Sequence, residues 1–116
     1  PVHFDAAFAA RTEFGKPLVN SCLTLAIVTG QSVTDLSQNA MANLGWDEVR
    51  MPHPVFEGDT IYARSEVLET RASKSRPNVG IVRVRTTGLN QDRIVVLEFL
   101  RTFMVYRRGH VPVANA

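Results

Sequence analysis

The chain lacks most of the features that would staple, span or strongly charge it. Its 116 residues include one cysteine, Cys22, so no internal disulfide can form, and a single thiol in an apolar run suits the reducing cytoplasm better than a secreted setting. Three histidines and that cysteine are too scattered for the usual metal-ligand spacings, and no G-x-x-x-x-G-K-[ST] phosphate loop occurs. The residues therefore call for no metal or other cofactor. The longest apolar stretch, around Leu23 to Val28, is far too short to cross a bilayer. Charge of one sign is also missing: 13 basic against 11 acidic residues leave a net +2, which makes no electrostatic case for nucleic acid. Internal repeats and low-complexity tracts are absent.

What is present suits one domain with a genuine core. At 45% hydrophobic, the chain is long enough to bury apolar surface without disulfides, and it reads as a single compact domain over residues 1–108 with a tail over 109–116. Asp5 can cap a short alanine-rich helix that ends near Phe14-Gly15. After the break at Gly15-Lys16-Pro17, Asn20 or Ser21 can cap a second helix. Its residues Leu23, Leu25, Ala26, Ile27 and Val28 leave almost no polar face, which predicts burial. Beyond Gln38, β-branched and alternating segments predict four strands, over Met41–Met51, Thr60–Thr70, Val79–Thr87 and Arg93–Tyr106. Gly45 weakens the first, Phe56-Glu57-Gly58-Asp59 turns the chain after Pro52-His53-Pro54, and Asn90-Gln91-Asp92 turns it before the fourth. One helix followed by antiparallel strands is an α+β layout in which the sheet wraps the helix.

His3 is the one titratable base near the start of the chain suited to proton transfer near neutral pH. The sequence opens on Pro1 without an initiator methionine, so an upstream segment is expected. Cys22 has no His or Asp neighbour in sequence and reads as a packed apolar cysteine rather than a nucleophile.

The run Pro1-Val2-His3-Phe4-Asp5, followed by Phe14-Gly15 and the apolar helix, resembles the MaoC-like, or hydratase 2, branch of the hot-dog proteins. Within that branch the chain is most similar to mesaconyl-CoA hydratase relatives. The residues that carry this are the segment from Val28 to Asn39, Asn43-Leu44-Gly45-Trp46-Asp47-Glu48, His53-Pro54-Val55-Phe56, Gly58-Asp59 and Ser73-Lys74-Ser75-Arg76-Pro77. The resemblance implies a single hot-dog fold, an antiparallel sheet around a central helix, with a preceding strand expected before Pro1. It also implies action on enoyl-CoA thioesters; fold alone would not define a substrate.

His3 matches the histidine of the family's D-x-N-P-x-H pattern, whose aspartate would fall before Pro1. Asp5 does not occupy that place and could either orient the imidazole or cap its helix. The family's helix begins with His-Gly; here Asn20-Ser21 stand there, and the free N–H of Ser21 at the helix start is the expected oxyanion donor. Asn20 is a candidate substrate contact or a plain cap. Lys74 and Arg76 form a positive loop suited to the phosphates of coenzyme A, or a solvated hairpin. One of Arg83, Arg85 and Arg101 could reach a second carboxylate of the acyl group, or all could face water. His53 reads as a turn residue or a wall of the acyl pocket, Trp46 and Phe56 as core or interface residues, and His110 as part of the tail.

These readings predict a lyase that reversibly hydrates an enoyl-CoA, with a short branched dicarboxylic acyl group such as mesaconyl or itaconyl. The alternatives are an (R)-specific enoyl-CoA hydratase, a hot-dog acyl-CoA thioesterase and a non-catalytic acyl-CoA-binding subunit. The acyl-CoA is the expected partner, with no nucleic acid and no membrane. Exposed sheet edges predict a homodimer with a continuous sheet.

Overall fold

The computed structural model describes residues 1–113. Two α-helices, α1 (Ala6–Ala9) and α2 (Ser21–Gln31), precede a π-helical turn (Val33–Ser37) and four strands, β1 (Ala40–Arg50), β2 (Tyr62–Ala72), β3 (Val79–Leu89) and β4 (Val95–Tyr106). The strands form one antiparallel sheet in the order β1-β4-β3-β2, with α2 laid on one face. This is the expected α+β hot-dog layout.

Local chemistry explains most boundaries. Asp5 caps α1 by accepting the Phe8 N–H at 2.9 Å, so the capping reading of Asp5 holds. The helix stops at Ala9 rather than near Phe14. There the Thr12 hydroxyl donates to the Ala9 carbonyl at 2.6 Å, and a side-chain bond of this kind diverts the backbone. Asn20 caps α2, its Oδ1 accepting the Cys22 N–H at 2.8 Å. In β1 the pairing with β4 shifts between Ala40 and Ala42, between Asn43 and Gly45 and again between Asp47 and Arg50, and Glu48 has φ of 50°, which accounts for the irregular strand expected there. Gly58, with φ of 94°, closes the Phe56–Asp59 turn in a conformation that favours glycine.

The core lies between α2 and the β3–β4 hairpin. Val28, Val96, Leu97 and Phe99 are buried in it with Val55, and side chains of this kind each contribute about 1.5–3 kcal/mol on full burial. The helix sits so low that a Cβ on Gly88 would meet Val28 Cγ2 at 2.8 Å, so glycine there permits the contact.

Three expectations are corrected here. The helix is not enclosed: Thr24 and Val28, one turn apart, face the sheet, whereas Leu23 and Ile27 remain 53% and 40% exposed on the other flank. Cys22 lies on that open side, with Ala26 one turn on, and is exposed rather than packed. The unit is also not compact. Its radius of gyration is 17.6 Å, against about 13 Å for a compact chain of this length, because a single sheet of long strands is covered on part of one face only. Of the tail expected over 109–116, residues 114–116 lie outside the described residues.

Candidate active site

The site is assembled by short-range bonds between segments distant in sequence. The Leu18 N–H donates to the Val2 carbonyl at 3.0 Å, and Val19 donates to Val55 at 2.8 Å as Leu18 bridges to Phe56. This ties the first residues to the connection between β1 and β2, directly before the start of α2. A cavity of about 250 Å³ results, with His3, Ser21, Thr24, Met51, His53 and Val96 among its lining. An adjoining hollow of about 300 Å³ shares His3, Leu18 and Val19 and adds Asn20, Leu23 and Glu57.

His3 Nδ1 lies 3.0 Å from the Leu18 carbonyl oxygen. A carbonyl can only accept, so Nδ1 carries the hydrogen and Nε2 keeps its lone pair free. At the start of α2, the Asn20 side chain occupies the Cys22 N–H, and the Leu23 and Thr24 N–H groups both donate to the Asn20 carbonyl. None of these bonds takes up the N–H of Ser21. A residue with a free proton acceptor and a free helix-terminal donor therefore line one small cavity, the pairing needed for proton transfer beside a developing oxyanion.

His53, expected as a turn residue or a wall of the acyl pocket, is in the cavity lining. Its Nδ1 donates to the Pro54 carbonyl at 2.8 Å, which orients the ring in the cavity that it shares with His3. Nearby, Asp59 accepts the Phe56 N–H at 2.9 Å and the Gln91 amide at 3.0 Å. These two bonds, the backbone one first, hold its carboxyl below the usual 3.8.

Other candidates are placed elsewhere. Lys74 and Arg76 are exposed in the hairpin between β2 and β3, where the Arg76 N–H donates to the Ser73 hydroxyl at 3.2 Å. That hairpin lies near Tyr106, the partner of Val79, whereas the cavity lies near Val96 at the other end of β4. Ten strand residues separate them, about 33 Å, so the two side chains stand at the opposite end of the sheet from this chain's cavity. Arg85 pairs with Glu98 at 3.2 Å on the face away from α2. Arg101 is buried at 4% exposure; its Nη2 donates to Ser32 and Ser37 at 3.0 and 3.1 Å, and its Nε has no partner among the described residues. Burial pulls the guanidinium below its ordinary value. Trp46 is 42% exposed and donates to the Thr29 hydroxyl at 3.4 Å, and Phe56 lies half-buried beneath the Lys16 ammonium at 4.5 Å. Among the described residues, no three His, Cys, Asp or Glu side chains cluster closely enough to hold a metal, and no helix is long and apolar enough to cross a membrane.

Comparison with known proteins follows the same lines. The mesaconyl-CoA hydratase family profile matches residues 1–115. The chain is 42% identical over 98 residues to mesaconyl-CoA hydratase of Cereibacter sphaeroides, covering 84% of this chain and 28% of that protein. It is 38% identical over 108 residues to β-methylmalyl-CoA dehydratase of Chloroflexus aurantiacus, covering 88% and 30% respectively. The crystal structure of a MaoC domain protein dehydratase from Chloroflexus aurantiacus superposes with a TM-score of 0.89 at 35% identity, covering 98% of this chain and 32% of that one. The chain thus spans less than a third of the length of these relatives.

Proposed function

Because the chain belongs to the mesaconyl-CoA hydratase family of MaoC-like hot-dog proteins, we propose that it is the part of a hydro-lyase that adds water reversibly across the double bond of an enoyl-CoA thioester. The observation that carries this reading is the cavity shared by His3 and Ser21, with Nδ1 of the histidine held on Leu18 and the helix-terminal N–H free. His3 Nε2 takes a proton from water as the water oxygen bonds to the β-carbon. The displaced π electrons move to the thioester oxygen, where the Ser21 N–H stabilises the charge, and the proton taken up by His3 is then passed to the α-carbon, which restores the free imidazole. Addition of water leaves no net redox change, so the chemistry calls for no redox cofactor.

The relatives named for mesaconyl-CoA and β-methylmalyl-CoA support a short branched dicarboxylic acyl group, and itaconyl-CoA has the same character. A cavity of about 250 Å³ is on the scale of such a group, with the adjoining hollow beside Asn20 open to the rest of the thioester. The open flank of α2 and the two unpaired sheet edges favour pairing with a second such unit, as in a homodimer.

The test is an absorbance assay of the full-length protein with mesaconyl-CoA, itaconyl-CoA and crotonyl-CoA, following loss of the conjugated thioester beside a free-thiol assay. Loss of conjugation without thiol release is expected, with a fall of about 100-fold or more in His3→Ala. Thiol release would reassign the chain as a thioesterase, and unchanged turnover in His3→Ala would remove the histidine from the mechanism.

A further inference from the structure

We propose that His53 is a specificity-determining residue that receives the second carboxylate of a dicarboxylic enoyl thioester. This inference rests on the hydratase reading above. A carboxylate entering a small cavity loses water and needs a charged or hydrogen-bonding partner there. Among the described residues, the cavity lining contains no arginine or lysine; its two groups able to carry positive charge are His3 and His53. His3 is committed to the proton transfer, which leaves His53.

The local geometry suits that task. Nδ1 of His53 is occupied by the Pro54 carbonyl at 2.8 Å, which fixes the ring and leaves Nε2 as its remaining polar edge. In the doubly protonated imidazole that edge donates, and a carboxylate is the natural acceptor for a charged N–H. The neighbouring anion, Asp59, is already engaged by the Phe56 and Gln91 N–H groups and does not line the cavity. Thr24, 3% exposed and also in the lining, brings a hydroxyl that can add a second bond.

Arg101, buried and without a carboxylate partner among the described residues, is the obvious rival and lies too far away. Its acceptors Ser32 and Ser37 follow the end of α2, and the eleven-residue rise from Ser21 to Ser32 is about 16 Å, more than a four-carbon acyl chain spans. Arg83 and Arg85 lie outside the cavity lining as well.

The experiment compares kcat/KM for mesaconyl-CoA and crotonyl-CoA in the full-length wild type, His53→Leu and His53→Gln. Leucine keeps bulk without a donor, and glutamine keeps a neutral donor. In His53→Leu the mesaconyl-CoA value should fall about 10- to 100-fold, the loss of one hydrogen bond to a charged group, while the crotonyl-CoA value holds. His53→Gln should lie between wild type and His53→Leu for mesaconyl-CoA alone. Equal losses on both substrates would assign His53 a purely structural role and overturn the proposal, as would unchanged values on both. Wild-type turnover of crotonyl-CoA without mesaconyl-CoA would overturn it while leaving the hydratase reading standing. Turnover of neither substrate would bring down both readings.

Discussion

At the scale of single residues, the chemistry concentrates on atoms left over when local bonds have been made. Asn20 satisfies Cys22 and, through its carbonyl, Leu23 and Thr24, and the donor it leaves is the N–H of Ser21. That donor can be deleted cleanly. Proline is tolerated at the first position of a helix, and Asn20, at φ −60° and ψ 132°, already has the extended conformation required before a proline. Ser21→Pro should keep the far-ultraviolet circular dichroism and thermal midpoint of the wild type while kcat falls about 100- to 1,000-fold, the usual effect of removing an oxyanion donor. Ser21→Ala, which keeps the N–H, should retain most of the activity in the same assay. His3 and Ser21 were legible in sequence because each belongs to a local pattern. The nearness of His53 to His3 was not: it comes from the Val19–Val55 bond, a pairing across 36 residues that no local pattern records.

At the scale of elements, the strand periodicity located β1 to β4 to within two residues at each end, because alternation survives wherever one face of a strand packs. Arg101 was harder to place. Strand alternation put it among arginines that could face water, but Ser32 at the end of α2 and Ser37 in the π-helical turn each offer it a hydroxyl. The guanidinium also lies 4.6 Å from the centre of the Phe103 ring. A buried charge held only by neutral acceptors is costly to strip and cheap to replace. The double replacement Ser32→Ala with Ser37→Ala should therefore destabilise the protein by about 2–3 kcal/mol in urea melts, whereas Arg101→Met should cost less. A larger loss for Arg101→Met would show that the guanidinium contributes more by packing on Phe103 than burial of its charge removes.

On the scale of the whole molecule, the open architecture is the dominant fact. Leu23, Leu44, Trp46, Tyr62 and Val67 are each more than 40% exposed, and β1 and β2 present unpaired edges at the two sides of the sheet. Long edges of this kind invite strand pairing. If two units join along β1, Leu44→Lys in the full-length protein should shift the sedimentation-equilibrium mass towards that of one copy at micromolar concentration, with β2 variants such as Val67→Lys unaffected. An unchanged mass for Leu44→Lys would place the pairing surface elsewhere. The sequence by itself determined the order of helices and strands, the family and the two local catalytic candidates, because capping, periodicity and motifs act between near neighbours. Only the tertiary structure decided that His53 joins His3, that Lys74 and Arg76 lie at the far end of the sheet, that Arg101 is buried and that one flank of α2 stays uncovered. Each of those depends on which distant segments pair, and an apolar residue's composition says that it seeks cover without saying which surface supplies it.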